Sequence, residues 1–307
     1  MCQLVDLKVG FSCNNKCTHC VISDKKHEKD LTLEEIKGIV EEFIEDYGKI
    51  QLTLTGGEIS IRKDYCEIME YIRNKKKSGL ITFVDMQTNG RMLSNENLLN
   101  ETIDVVDFFL VALHSNLENI HDDITCSPNS FKQTTLALSK MVEKINPNRI
   151  AIQTVINKKN YMSLKNIYKF VYEKFGIKEC NITFPHPIGT CFSRNVVPTY
   201  KEVQPFINEA LDYCLSQDIF PYIEALPFCI FFENERKYLF EFLKKRDLNV
   251  VGFGGEKDGK INYKDVFDDG HVKYDSCKKC PYTYMCEGVW KEYKLLYPQD
   301  DLFNLLK

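Results

Sequence analysis

Two hydrophobic rhythms alternate along this chain, one with the period of a strand and one with the period of a helix. "QLVDLKV" (3–9) reads as a strand, and over 33–47 Ile36, Ile39, Val40, Phe43, Ile44 and Tyr47 recur at helical spacing. Thr32 with Glu35 forms a capping box for that helix, and Gly48 stands where a C-terminal glycine belongs. The same alternation continues with strand 50–56, helix 65–74, strand 80–90, a short helix around 94–101, strand 105–113 and helix 131–145. It closes with strand 149–157, helix 162–176, strand 179–186 and helix 200–217. Six strand–helix units in succession predict a parallel sheet with right-handed crossovers, short of the eight units of a full barrel. The expected fold is α/β, a partial (β/α)6 TIM-like barrel over residues 1–218.

After residue 219 the rhythm breaks. "FPYIEALPFCIFF" is followed by a charged helix-like piece (232–246) and by Gly- and Asp-rich turns with short strand candidates (252–270). Residues 219–307 are expected to form a small C-terminal α+β domain. The triplet Lys75-Lys76-Lys77 ends the apolar-periodic run before Ser78-Gly79 and reads as a helix C-terminus.

Composition narrows the class. In 307 residues, 44% are hydrophobic and 27% charged, with a formal net charge of −4. That balance supports a sizeable core and gives no reason to expect nucleic acid or an anionic membrane as partner. There is no signal-peptide pattern and no apolar run long enough to span a bilayer, so a cytoplasmic location is expected. Thirteen cysteines in such a chain point to metal or redox chemistry rather than to a disulfide framework.

The cysteines are not scattered. "GFSCNNKCTHC" places Cys13, Cys17 and Cys20 at C-x3-C-x2-C spacing in the loop after the first strand, and "DSCKKCPYTYMC" places Cys277, Cys280 and Cys286 at C-x2-C-x5-C. Close thiolates bind zinc or iron–sulfur clusters. A structural zinc closes with four ligands, whereas three thiolates on a four-iron cubane leave one iron open to a substrate or cofactor.

With that loop in view, the sequence resembles the radical S-adenosylmethionine superfamily. The resemblance implies a [4Fe–4S] cluster on Cys13, Cys17 and Cys20 whose open iron chelates S-adenosylmethionine. Reductive cleavage then yields a 5′-deoxyadenosyl radical that abstracts hydrogen from a substrate. His19 occupies the place of the family's aromatic residue before the third cysteine. "LTGGEIS" (54–60) resembles the family's GGE motif, which makes Gly56, Gly57 and Glu58 cofactor-binding residues. "TNG" (88–90) resembles the segment that approaches the cofactor, which adds Asn89. By themselves, Gly-Gly-Glu and Asn-Gly are also ordinary turns. His121 and Asp122 are expected to set the loop after the fourth strand, and His114 to line the pocket there. Asn157 and "PHPIG" (185–189) end the fifth and sixth strands, at the mouth of the sheet.

The C-terminal triplet resembles the auxiliary iron–sulfur extension called SPASM, in its shorter twitch form. Trp290 stands where the longer form has a further cysteine. The resemblance implies one auxiliary [4Fe–4S] cluster on Cys277, Cys280 and Cys286, with Cys229 as fourth ligand. A zinc knuckle closed by His271 or Cys229 stays open as the alternative. Cys66 and Cys214 read as core cysteines, and Cys126 and Cys191 as loop cysteines near the mouth.

Enzymes with this extension mostly modify ribosomally made peptides, so a peptide substrate is the leading expectation. The first strand starts at about residue 3, so a separate leader-binding protein, or the barrel mouth itself, would present the peptide. A flavodoxin- or ferredoxin-type electron donor is implied. A radical enzyme acting on a small molecule is the alternative, and a non-catalytic iron–sulfur or zinc protein is the third reading.

Overall fold

In the structure, a computed structural model, residues 2–25, 27–232, 250–254, 259–262, 270–299 and 302 are described. Seven strands run parallel in the order they occur in the chain: β1 (Gln3–Lys8), β2 (Ile50–Thr55), β3 (Ile81–Thr88), β4 (Phe108–Ala112), β5 (Ile150–Val155), β6 (Glu179–Thr183) and β7 (Phe220–Glu224). Their crossovers carry α1 (Leu33–Tyr47), α2 (Tyr65–Lys77), α3 (Glu96–Ile103), α4 (Glu118–Thr125), α5 (Ser130–Lys144), α6 (Leu164–Phe175) and α7 (Tyr200–Ser216). The partial α/β barrel expected from the alternation is present.

Local rules fix the helices. Thr32 and Glu35 close the predicted capping box on α1, and Thr199 and Glu202 close a second on α7. Lys75, Lys76 and Lys77 form the last turn of α2, where Lys76 reaches Asp107 at 2.6 Å. One strand face packs Leu52, Leu54, Val84, Met86, Phe109, Val111, Ile150 and Ile152 under the helices, all fully buried. The opposite, concave face is polar, and its side chains bridge neighbouring strands: Thr55 Oγ1 donates to Gln87, Gln153 to Thr183, and Thr183 to Glu224.

Three features depart from the expectation. A seventh strand, β7, extends the sheet beyond β6, because "FPYIE" keeps the parallel register. The hairpin of β8 (Val250–Phe253) and β9 (Lys260–Asn262) returns to the other edge, with β8 parallel to β1. Lys260 fastens this hairpin to Glu42 and Asp46 of α1. The helix α4 lies within the stretch read as loop. Most of the charged piece expected at 232–246 lies outside the described residues.

Near the C-terminus, β10 (His271–Val272) pairs antiparallel with β11 (Val289–Trp290), which leads into α8 (Lys291–Leu296). Among the described residues no helix is long and apolar enough to cross a membrane.

Candidate functional site

The cysteine loop leaves β1 and is held from several sides. Gly57 N–H donates to Gly10 O at 2.8 Å and Glu58 N–H to Ser12 O at 2.8 Å, so the end of β2 extends its ladder onto the start of the loop. A Cβ on Gly57 would overlap the Ser12 carbonyl, and Gly56 has φ +118 with its own missing Cβ against Gly10 O. Only glycine fits there. Asp30 accepts from the Phe11 and Ser12 amides, while Arg62 donates to Val9 O and Leu31 O. On the far side, Lys16 and Thr18 amides donate to Thr125 O and Ile124 O at the end of α4.

The TNG turn closes over the middle of the loop. Asn89 Nδ2 donates to Asn14 Oδ1 at 2.7 Å and lies 3.8 Å from Cys13 Sγ. Arg91 donates to Asn14 O and Asn15 Oδ1. The carboxylate of Glu58 is buried and accepts from Ser60 N and Oγ, Thr88 Oγ1 and Asn89 N. Burial pushes that carboxyl up, against the opposing pull of its hydrogen bonds. Every bond on this side chain thus comes from the chain itself, and it joins the GGE turn to the TNG turn.

Behind the loop stand three histidines. His19 meets His114 edge-on at 4.5 Å between ring centroids, and His114 stacks on His121 at 5.7 Å. Burial holds His19 and His121 neutral, near pKa 4, and holds His114 well below the usual value. His121 Nδ1 accepts the His114 amide, and Asp122 caps the start of α5 through Asn129 N, Ser130 Oγ and Phe131 N. His121 and Asp122 therefore shape the loop, as expected. Asn157 Nδ2 donates to Thr18 Oγ1, which ties the end of β5 to the cysteine loop.

The donor set suits a soft metal group. No disulfide joins any of the cysteines, and N–H groups of Asn15 (3.3 Å) and Asn89 face Cys13 Sγ. Amides aimed at sulfur stabilise a thiolate ligand. His19 Nδ1 is buried with no partner from the chain.

A second cysteine cavity lies at the C-terminal end. Cys229, Cys277, Cys280 and Cys286 line it together with Pro227, Val272 and other side chains. Burial raises the Cys229 thiol first, and the other three cysteines add to the rise. Cys286 is also raised by burial, while amides of Phe228 and Gly288 pull the other way. The four residues named from the sequence thus share one cavity. Next to it, Trp290 is sandwiched between His186 at 3.9 Å and His271 at 4.0 Å, and His186 Nε2 lies 3.0 Å from Glu292.

The remaining cysteines divide differently from expectation. Cys214 is buried, but Cys66 is exposed, because the buried stripe of α2 runs through Ile68, Met69 and Ile72. Cys126 is exposed at the left-handed end of α4. Cys191 is buried, and burial, with a smaller contribution from Cys20, pushes its thiol up to about 12. Sequence reasoning did not find Asp30, Arg62 or Arg91, since single polar residues carry no periodic signal.

Comparison with known proteins agrees with this geometry. Among curated proteins, a probable GTP 3',8-cyclase of Sulfurisphaera tokodaii is 30% identical over 197 residues, 61% of this chain and 58% of the relative. The chain thus spans little more than half the length of that relative. The antilisterial bacteriocin subtilosin biosynthesis protein AlbA of Bacillus subtilis is 30% identical over 124 residues, 40% of this chain and 26% of AlbA. Among solved structures, native anSMEcpe with bound AdoMet and a Kp18Cys peptide superposes with TM-score 0.67 at 17% identity, covering 95% of this chain and 90% of that one. Streptococcus suis SuiB bound to precursor peptide SuiA gives TM-score 0.66 at 11% identity, covering 100% and 76%. At those identities the likeness is one of fold. The sequence profile of the Radical SAM superfamily matches residues 7–171, more than half of the chain and the part that carries the cysteine loop, the GGE turn, the TNG turn and the histidine stack. The chain belongs to the Radical SAM superfamily.

Proposed function

We propose that this protein is a radical S-adenosylmethionine enzyme that modifies a peptide. Membership in the superfamily implies a [4Fe–4S] cluster and S-adenosylmethionine. When bound, that pair supplies the electron and the 5′-deoxyadenosyl group that together abstract a substrate hydrogen. Cys13, Cys17 and Cys20 hold the cluster. The backbone of Gly56 and Gly57 lets β2 approach the loop. Glu58 fixes Asn89, and Asn89 and Arg91 in turn fix Asn14 and Asn15. His19, His114 and Asn157 close the side facing β4 and β5, where they exclude water. The observation that carries this reading is the convergence of the GGE and TNG turns on one cysteine loop with amide donors at Cys13 Sγ.

We read the chain beyond β7, within residues 219–307, as carrying a twitch-type site whose Cys229, Cys277, Cys280 and Cys286 hold one auxiliary [4Fe–4S] cluster, with β7 and the β8–β9 pair belonging to the barrel sheet. The shared cavity supports four-fold ligation. A tetrahedral zinc with Zn–S near 2.3 Å needs sulfurs only about 3.8 Å apart. Among the described residues, Cys17, His19 and His114 form the set of three ligand atoms lying within 4.8 Å of one another, and no three of the C-terminal sulfurs do so.

The peptide reading is supported by folds that cover nearly all of this chain in structures with bound peptides. A small-molecule substrate is the second reading, favoured by the GTP 3',8-cyclase relatives. Against a nucleoside triphosphate, Arg62, Arg91 and Arg194 are spent on internal acceptors. A separate leader-binding protein and a flavodoxin- or ferredoxin-type donor complete the proposal.

Anaerobic reconstitution tests it. Iron and sulfide content and dithionite-driven cleavage of S-adenosylmethionine are compared between the wild type and a Cys13→Ala, Cys17→Ala, Cys20→Ala variant. About eight irons falling to about four, with cleavage lost, is the expected result. Zinc in place of iron at the N-terminal loop would overturn it. Incubation with GTP and with cysteine- or aromatic-rich peptides then separates the two substrate readings.

A further inference from the structure

We propose that His114 is a positioning residue for the N-terminal cluster, donating an N–H···S hydrogen bond from Nε2 to the Cys17 thiolate and so raising the reduction potential of that cluster. This inference rests on the reading of Cys13, Cys17 and Cys20 as cluster ligands. His114 stands just beyond β4 and is only 3% exposed. Its backbone is fixed at both ends: the amide donates to His121 Nδ1 at 3.1 Å, and the carbonyl accepts from Asn160 Nδ2 at 2.9 Å. The ring is fixed as well, edge-on to His19 and stacked on His121.

One ring nitrogen is already engaged. His114 Nδ1 accepts the Val155 amide at 3.4 Å, which assigns the proton of the neutral ring to Nε2. Ligand atoms of Cys17, His19 and His114 all lie within 4.8 Å of one another, so the nearby acceptors are the Cys17 sulfur and an imidazole nitrogen of His19. Once Cys17 is a thiolate, it is the stronger acceptor, because charge-assisted hydrogen bonds exceed neutral ones.

The consequence concerns electron transfer. Adding an electron raises the negative charge on the cluster and its ligand sulfurs, and an N–H aimed at one of them stabilises the reduced state more than the oxidised state. His114 thus eases reduction of the centre that must pass its electron on. His114 reaches the loop from a separate strand.

The test uses the full chain, reconstituted anaerobically, as wild type, His114→Phe and His114→Gln. Potentiometric titration follows the electron paramagnetic resonance signal that changes when S-adenosylmethionine is added. His114→Phe, with ring volume kept and the donor removed, is expected to load iron normally and to show a lower midpoint potential. His114→Gln, which keeps an N–H, is expected to fall between. A midpoint in His114→Phe equal to the wild type's overturns the inference. Should His114→Phe fail to load iron, wild-type protein labelled with 15N-histidine decides by pulsed resonance. A nitrogen coupling to the reduced cluster that disappears in His114→Gln supports it, and its absence from the wild type sinks it. A wild type with no signal that responds to S-adenosylmethionine overturns the cluster assignment itself and this inference with it, which sets that failure apart from an unshifted potential.

Discussion

The carboxylate of Glu58 accepts the backbone N–H of Asn89 at 2.7 Å, and this bond couples the end of β2 to the end of β3 directly above the cysteine loop. Through it the GGE turn governs the TNG turn, and Asn89 passes the constraint to Asn14. Glu58→Ala leaves the amides of Asn89 and Ser60 and the hydroxyls of Ser60 and Thr88 without their acceptor. The expected loss is about 2–4 kcal/mol of stability, with weakened S-adenosylmethionine binding. Glu58→Gln, which keeps an acceptor oxygen, retains most of both. Thermal unfolding and equilibrium dialysis of the cofactor distinguish the two variants.

Asp85, on the concave face, makes stability depend on pH in a stated direction. Burial lifts its carboxyl from 3.8 to about 6, while a Thr53 hydrogen bond pulls the other way. The folded chain therefore holds this proton more tightly than the unfolded chain. Its stabilising contribution is complete below about pH 4 and is lost as pH rises towards 6, a change of about 3 kcal/mol. Asp85→Asn should flatten the profile between pH 4 and 6 and be the more stable protein at pH 7. Urea midpoints across that range measure it, and parallel profiles for the two proteins would count against the assignment.

Gly57 is replaceable by nothing larger. A methyl group there overlaps the Ser12 carbonyl, one residue before Cys13. Gly57→Ala must push the cysteine loop away from β2, at a cost of about 1–3 kcal/mol. The expected outcome is loss of the N-terminal cluster with the C-terminal site still loaded, read as a halved iron content and no cleavage of S-adenosylmethionine. Full iron content in Gly57→Ala would show that the loop tolerates the shift.

Much of this architecture was legible in the sequence because its signals are local. The capping box of Thr32 and Glu35, the helical stripe of α1 and the apolar runs of β2 and β4 each lie within one short window. The two cysteine triplets were legible for the same reason, since their spacing is the signal. What escaped is long-range or aperiodic. The partnership of β8 with β1 joins residues about 250 positions apart and leaves no mark in either segment. The helix α4 has eight residues, too few to establish a period. Asp30 and Arg62 each act through two hydrogen bonds to backbone groups in or flanking the cysteine loop, and His114 acquires its neighbours only when β4 and the loop meet.

Cys229 and Cys214 together test the proposed ligand set of the C-terminal site. Cys229 lines the same cavity as Cys277, Cys280 and Cys286, whereas Cys214, fully buried on the inner face of α7, does not line it. Cys229→Ala is expected to lower iron by about four per chain, and Cys214→Ala to leave iron unchanged while costing some stability. Mössbauer spectra of the two variants check this. Equal iron in both would remove Cys229 from the ligand set.

Trp290 fastens the C-terminal site to the barrel mouth. Its indole lies between His186, from the loop after β6, and His271, its cross-strand partner in the β10–β11 pair. The segment that carries His186 continues to Thr190, whose amide donates to Ser23 Oγ at 2.9 Å, three residues beyond Cys20. Trp290 thus stands on a continuous path between the two cysteine sites. Trp290→Ala removes both stacks and opens the space between β11 and the mouth, a loss of about 3–5 kcal/mol. Because Trp290 belongs to the hydrophobic cluster that includes α6, β6 and α7, and not to the one beneath α1–α5, the loss should be confined to that half of the chain. Limited proteolysis should then cut the C-terminal portion first and leave the part of the barrel built from β1–β4 and α1–α5 resistant. Uniform cleavage throughout the chain would mean that the two parts unfold as one.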